Sequence, residues 1–248
     1  MICPKCGSNR VVTERRPNGY TICLNCPYRV LSKDIQKEPE SVDKGFLGSV
    51  KLIGLFGDDR TIANAAWVCT DRERDADREE LERLIKFLAI NRHGTPFEHV
   101  VLRFDVTCPI FVARQWLRHR VGTFNEKSLR YVKSDGNCYI PVELNEKQLE
   151  LYENAITIAC SAYEQIIELA EDKRRGREIA RGVLPLSLYT RYHWTVNLRA
   201  LANFLRQRLE DHAQIEIRNL AQEIERILKE TKDIEIAMKH IKSCGWNI

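Results

Sequence analysis

The residues from 118 to 131 read Arg-His-Arg-Val-Gly-Thr-Phe-Asn-Glu-Lys-Ser-Leu-Arg-Tyr, and their types suit an anionic ligand. Arg118, Arg120 and Arg130 bring bidentate donors that match phosphate geometry. Ser128 adds a hydroxyl, and His119 adds a group whose charge can change near neutrality. Gly122 marks a bend at a helix end, where the chain can wrap a ligand. Asn125 and Glu126 can read amide-like edges of a heterocycle. The alternative is a solvated basic helix end. The variety of polar types argues against it, since a solvated face needs only charge. Ser128 could also be a nucleophile, but arginines flank it and no dedicated base is evident beside it, so a donor role is the better reading.

A second group of chemical residues lies at the N-terminus. Cys3 and Cys6 are separated by two residues, as are Cys23 and Cys26, with sixteen residues between the pairs. Two such knuckles on a hairpin can set four thiolates around Zn2+. Residues 10–12 and 20–22 supply the short strands, and Pro17-Asn18-Gly19 supplies the turn. This resembles a zinc ribbon spanning residues 1–30. Four thiolates fill the coordination sphere, so the metal is structural. Its purpose stays open between a clip or oligomer contact and nucleic-acid contact through Arg10, Arg15, Arg16 and Arg29. The other five cysteines (Cys69, Cys108, Cys138, Cys160, Cys244) read as small buried apolar residues.

Elements must hold these groups in place. Residues 31–45 are polar and read as a linker, and residues 46–248 as a packed domain. Val50–Phe56 suggests a strand closed by Gly57-Asp58-Asp59. Leu81, Leu84, Ile85 and Leu88 repeat at helical spacing within 78–92. Leu102, Phe104 and Val106 alternate with Arg103 and Asp105, as in a half-buried strand. Pro109 opens the helix that carries Gln115, Arg118 and His119. Long helices are expected over 146–171 and 212–242, and shorter ones over 173–183 and 199–210. The basic run Lys173–Arg177 reads as solvated rather than as a nucleic-acid patch. His212 reads as a helix cap or a supporting group, His193 as part of a packed strand or interface, and Trp116 and Trp194 as core. The fold class is α+β: a helix-rich domain with an antiparallel or mixed sheet.

Bulk composition is permissive. The 248 residues carry 39 basic and 35 acidic side chains, a net charge of +4 that allows an anionic substrate without requiring nucleic acid. No apolar run approaches the ~20 residues of a membrane span, and no signal peptide opens the chain, so a cytoplasmic protein is expected.

The spacing Arg118-His119-Arg120, seven residues, Ser128 resembles the signature of the flavin-dependent thymidylate synthases. Its wider form continues through Asn125-Glu126 and Arg130-Tyr131, with Thr123 where the pattern usually shows serine. Three further stretches agree in order: His93–His99, Ala180–Pro185, and Asn197 to Arg208 followed by Asp211–Gln214. The resemblance runs from about residue 43 to 230, outside the ribbon. It implies a homotetramer with sites where subunits meet. FAD would contact Thr95, Arg118, His119, Arg120, Glu126, Asn197, Arg199 and Asn203, with His93 nearby. The substrate dUMP would contact Gln115, Arg118, Glu126, Ser128, Arg130, Arg181 and Arg208. Methylenetetrahydrofolate would supply carbon and NADPH the electrons. Arg208 beside the pyrimidine would stabilise charge as the ring is activated, without a covalent enzyme nucleophile. Cys69 stands where the family often has a serine near the flavin. The competing reading is a binding module dominated by the ribbon, with a degenerate domain behind it.

Overall fold

The computed structural model describes residues 11–13, 20–23, 29–31, 45–71 and 75–243. The chain divides into two units, Met1–Asp43 and Lys44–Ile248. In the first, β1 (Val11–Thr13), β2 (Tyr20–Cys23) and β3 (Arg29–Leu31) form an antiparallel sheet in that order. Two of these strands match the expected hairpin, and β3 is an addition. Cys3, Cys6 and Cys26 lie outside the described residues, and only the backbone of Cys23 is described, at the end of β2.

In the second unit the order is β4 (Ser49–Phe56), α1 (Asp59–Val68), α2 (Arg78–Ile90), β5 (Val101–Pro109), α3 (Ile110–Trp116), β6 (Thr123–Glu126), α4 (Glu146–Leu169), α5 (Lys173–Ala180), β7 (Tyr189–Asn197), α6 (Leu198–Arg208), α7 (Ile215–Glu230) and α8 (Glu235–Ser243). The four strands form one antiparallel sheet in the order β4-β5-β7-β6. The fold is therefore α+β with an antiparallel sheet. Alternation decides which face is covered. Leu102, Phe104, Val106 and Cys108 of β5 and Tyr192, Trp194 and Val196 of β7 are buried, while Arg103, Arg191 and His193 point outward to solvent. His193 is thus on the exposed side of the strand. Trp116, Trp194 and Phe204 interlock beneath the sheet, with ring centroids 4.7 to 5.4 Å apart, so both tryptophans are core.

Two elements depart from the periodicity. The Gly57-Asp58-Asp59 turn does more than close β4. Asp58 caps α1, accepting from the Thr61 amide at 2.7 Å while Thr61 Oγ1 accepts from the Asp58 amide. The helix expected over 212–242 is broken between α7 and α8 at 231–234. Asp59 supplies the reason. Its buried carboxylate accepts from the amides of Ile236 and Ala237, both at 2.9 Å, and so starts a new helix there. Replacing Asp59 with Ala strands two buried N–H groups. Urea unfolding of Asp59→Ala is expected to show a loss of about 2–4 kcal/mol.

The scattered cysteines split. Cys108 and Cys138 are buried as expected, but Cys160 is only half-buried and Cys69 is exposed at the C-terminal end of α1. Cys244 lies outside the described residues.

Candidate active site

Three elements meet around a cavity of about 450 Å³, within the ~300–1,000 Å³ usual for ligand sites. The first wall is the chain leaving α3. It turns tightly, with the His119 amide on the Trp116 carbonyl and the Gly122 amide on the Arg120 carbonyl, and then enters β6. Gly122 is needed here for space: a Cβ would stand 2.8 Å from Trp194 Nε1 and 2.9 Å from the Thr195 carbonyl oxygen. It lets the chain pass over the indole. The second wall is one face of α6 along its length, from the Asn197 cap to Arg208, and the third is the 3-10 turn Thr95–His99.

The polar groups of this cavity are nearly all donors. Asn197 caps α6, so its Oδ1 is used by the Ala200 amide at 2.8 Å and its Nδ2 is left over. Asn203 Oδ1 accepts from Arg206 Nη2 at 3.2 Å and Gln207 Nε2 at 3.1 Å, again leaving Nδ2. His119 Nε2 accepts from Arg208 Nε at 3.0 Å, which places the imidazole proton on Nδ1. Arg118, Arg120, Arg199 and Arg208 add four guanidinium groups, and the start of α6 adds its dipole. Such a lining fits a ligand rich in acceptors and negative charge, as a diphosphate is.

Burial, with the Arg208 guanidinium beside it, pushes His119 down from 6.5 to about 4. The ring is therefore neutral at neutral pH. The unfolded imidazole takes its proton near 6.5 and the folded one near 4. Acid thus favours the unfolded chain: this contribution to stability is full above 6.5 and falls across the window down to 4. Imidazole NMR is expected to show no His119 protonation above about pH 5, and a rise back toward the free value in Arg208→Ala. An ordinary titration near 6.5 in the wild type would contradict this geometry.

A second basic cluster lies at the far end of β6. Thr123 pairs with Thr195, near the cavity, whereas Glu126 pairs with Tyr192, away from it. Four residues of strand, roughly 10 Å, therefore separate the two ends of the 118–131 stretch. The stretch therefore divides between the two ends of β6. Beyond β6, Ser128 starts a turn in which its carbonyl accepts from the Tyr131 amide at 3.0 Å. Arg130 donates from Nε and Nη2 to Glu178 Oε1 at 3.2 and 3.1 Å, and Arg177 Nε donates to the Arg130 carbonyl at 3.3 Å. Both partners come from α5, capped by Asp172. The Lys173–Arg177 run is thus helical, and Arg177 is drawn in to brace Arg130, which its basic composition did not indicate. Arg181 follows at the C-terminal end of α5 and is exposed.

Comparison with known proteins decides what this arrangement belongs to. The family model described as "Thymidylate synthase complementing protein" matches residues 51–232. Flavin-dependent thymidylate synthase of Thermosipho melanesiensis is 41% identical over 208 residues, covering 76% of this chain and 87% of that one. The enzyme of the same name from Thermotoga neapolitana is 41% identical over 197 residues, covering 76% and 88%. The chain belongs to the flavin-dependent thymidylate synthase family. A crystal structure of the UMP/dUMP methylase PolB from Streptomyces cacaoi, bound with 5-Br dUMP, aligns with TM-score 0.72 and 28% identity, over 80% of this chain and 96% of that one.

For this flavin-dependent thymidylate synthase family member, the expected site residues fall into groups. Arg118, His119, Arg120, Asn197, Arg199, Asn203 and Arg208 line the cavity together. Ser128, Arg130 and Arg181 belong to the second cluster. Glu126 lies on β6 between them, with Oε1 accepting from Thr190 Oγ1 at 2.6 Å. Gln115 supports rather than lines: its carbonyl accepts from Arg208 Nη2 at 3.2 Å, and its side chain pairs with Gln214. Thr95 is exposed in the 3-10 turn, and His93 is exposed and stacked on Phe87, with centroids 5.7 Å apart; neither lines the cavity. Cys69, at the end of α1, does not line it either. His212 is not a helix cap, because the cap position of α7 is Gln214. Glu98 and Gln207 line the cavity and were missed. The i,i+4 spacing of Gln207 from Asn203 was a usable signal. Glu98 lies in the His93–His99 stretch that carries the resemblance, but nothing in its type pointed to the cavity, since only the 3-10 turn brings it to α6.

Proposed function

We propose that this chain carries out the reductive methylation of dUMP to dTMP, with methylenetetrahydrofolate as carbon donor and NADPH as reductant, and that the cavity holds FAD. The donor-rich lining along α6 carries this reading. Arg118, Arg120, Arg199, Asn197 Nδ2, Asn203 Nδ2 and His119 Nδ1 would hold FAD, with Thr95 and Glu126 at its margins. When bound, FAD supplies the hydride chemistry that no side chain can. Ser128, Arg130 and Arg181 would take the dUMP phosphate and orient the ring, with Gln115, Glu126 and Arg118 along the nucleotide. Arg208, fixed by His119 and the Gln115 carbonyl, would stabilise negative charge in the pyrimidine.

The separation of the two clusters supports a homotetramer whose sites are shared between subunits. So do the exposed apolar side chains Ile179, Val183 and Leu186 around Arg181, and Val121 at the cavity. We assign Cys3, Cys6, Cys23 and Cys26 to structural Zn2+; stoichiometric zinc in the purified protein, lost in Cys6→Ser, checks this. Among the described residues no helix is long and apolar enough to cross a membrane, and we place the enzyme in the cytoplasm. Purified protein is expected to bind FAD with its visible absorption, and to release tritium from C5-labelled dUMP only with folate and reduced nicotinamide. Protein that cannot be loaded with flavin would refute the proposal.

A further inference from the structure

Among the described residues, Glu98 is the one carboxylate lining a cavity that holds four arginines. Its Oε1 accepts from Arg199 Nη1 at 2.5 Å. On the other side, Arg199 lies against Gly94. A Cβ there would stand 2.7 to 2.9 Å from Nε, Cζ and Cδ of Arg199. The φ of Gly94 is −72°, which any residue adopts, so the backbone does not require glycine; a side chain there would instead push the Arg199 guanidinium aside. Gly94 precedes and Glu98 lies within one short turn, Thr95–His99, whose end is tied to α6 by the Leu198 amide on the Val100 carbonyl.

We propose that Glu98 and Gly94 together set the pose of Arg199, so that Glu98 is a positioning residue for flavin binding; this rests on the flavin reading above. Four guanidinium groups around one cavity repel each other, and an unpaired Arg199 would swing outward to solvent. Glu98 holds it inward and Gly94 leaves it room. With side-chain exposures of 36% for Arg199 and 39% for Glu98, the pair contributes little to stability of the empty protein. A ligand that covers the pair removes water from it and strengthens it. The effect therefore belongs to ligand affinity and not to folding.

The test is fluorescence titration of flavin-stripped, full-length protein with FAD, alongside thermal melting. Glu98→Ala and Arg199→Ala should each weaken FAD binding by about tenfold or more, with melting temperature unchanged. The double variant should lose no more than either single one. Glu98→Gln keeps an acceptor oxygen and should recover part of the loss. Gly94→Ala should reproduce the loss without any change of charge. Wild-type affinity in Glu98→Ala, or additive losses in the double variant, would overturn the inference while leaving the flavin reading intact. Failure of the wild type itself to bind FAD would overturn both.

Discussion

Arg208→Ala is expected to lower turnover in the tritium-release assay by about 100- to 1,000-fold, the usual cost of removing one aligned donor to a developing charge. Two contacts fix this guanidinium before any substrate arrives. Nε donates to His119 and Nη2 to the Gln115 carbonyl in the last turn of α3, where helix carbonyls run out of helix amides to accept from. The remaining N–H groups are left for the cavity. A donor held this way meets charge without reorganising, and so acts mainly on kcat. Arg208→Lys keeps the charge but loses the fork, because a single ammonium cannot reach His119, the Gln115 carbonyl and a pyrimidine at once. It is expected to fall between the two, on the order of tenfold or more below wild type. Activity of Arg208→Ala within a few-fold of wild type would remove Arg208 from the chemistry.

Arg130→Ala should raise the KM for dUMP by about 10- to 100-fold, through the loss of charge-assisted hydrogen bonds to phosphate. Its fold cost should be small, since Glu178 keeps Arg175 at 3.1 Å. A stronger consequence follows from the separation of the two clusters. If each site takes Arg208 from one subunit and Arg130 from another, then mixing the two inactive variants rebuilds intact sites. Equal amounts of Arg130→Ala and Arg208→Ala, unfolded and refolded together, should recover about a quarter of wild-type activity, because half the chains supply each intact partner. Variants that stay inactive after mixing would place both arginines of a site in one chain.

Much of this was legible from residue order, and the parts that were not share a cause. The strand β5 and helix α2 follow from periodicity, because each has one face in water and one in the core. The arginines of the cavity could be picked out by type, since a cavity for anions needs them wherever the chain runs. Helix α1 was hidden because its Asp58–Thr61 cap also spells a turn. The break before α8 was hidden because Asp59, which causes it, lies 177 positions away from Ile236. Glu98 was hidden for the same reason: its partner Arg199 is 101 positions distant. The division of the 118–131 stretch was hidden because β6 has only four residues, too few for alternation to declare a strand. Local pattern reports what faces water. It does not report which distant groups a carboxylate will meet.

That four-residue strand also constrains how the gene can vary in length. Because β6 is pinned to β7 from Thr123 to Glu126, the cavity arginines and the Ser128–Arg130 turn stand at opposite ends of a ruler. One inserted codon would shift the far end by ~3.4 Å and turn alternate side chains to the wrong face. No slack in the flanking turns can absorb this, since Gly122 is wedged over Trp194 and the Lys127 amide is bonded to the Arg191 carbonyl. The spacing from Arg120 to Ser128 is therefore a measured length, and substitutions there can be tolerated where insertions and deletions cannot.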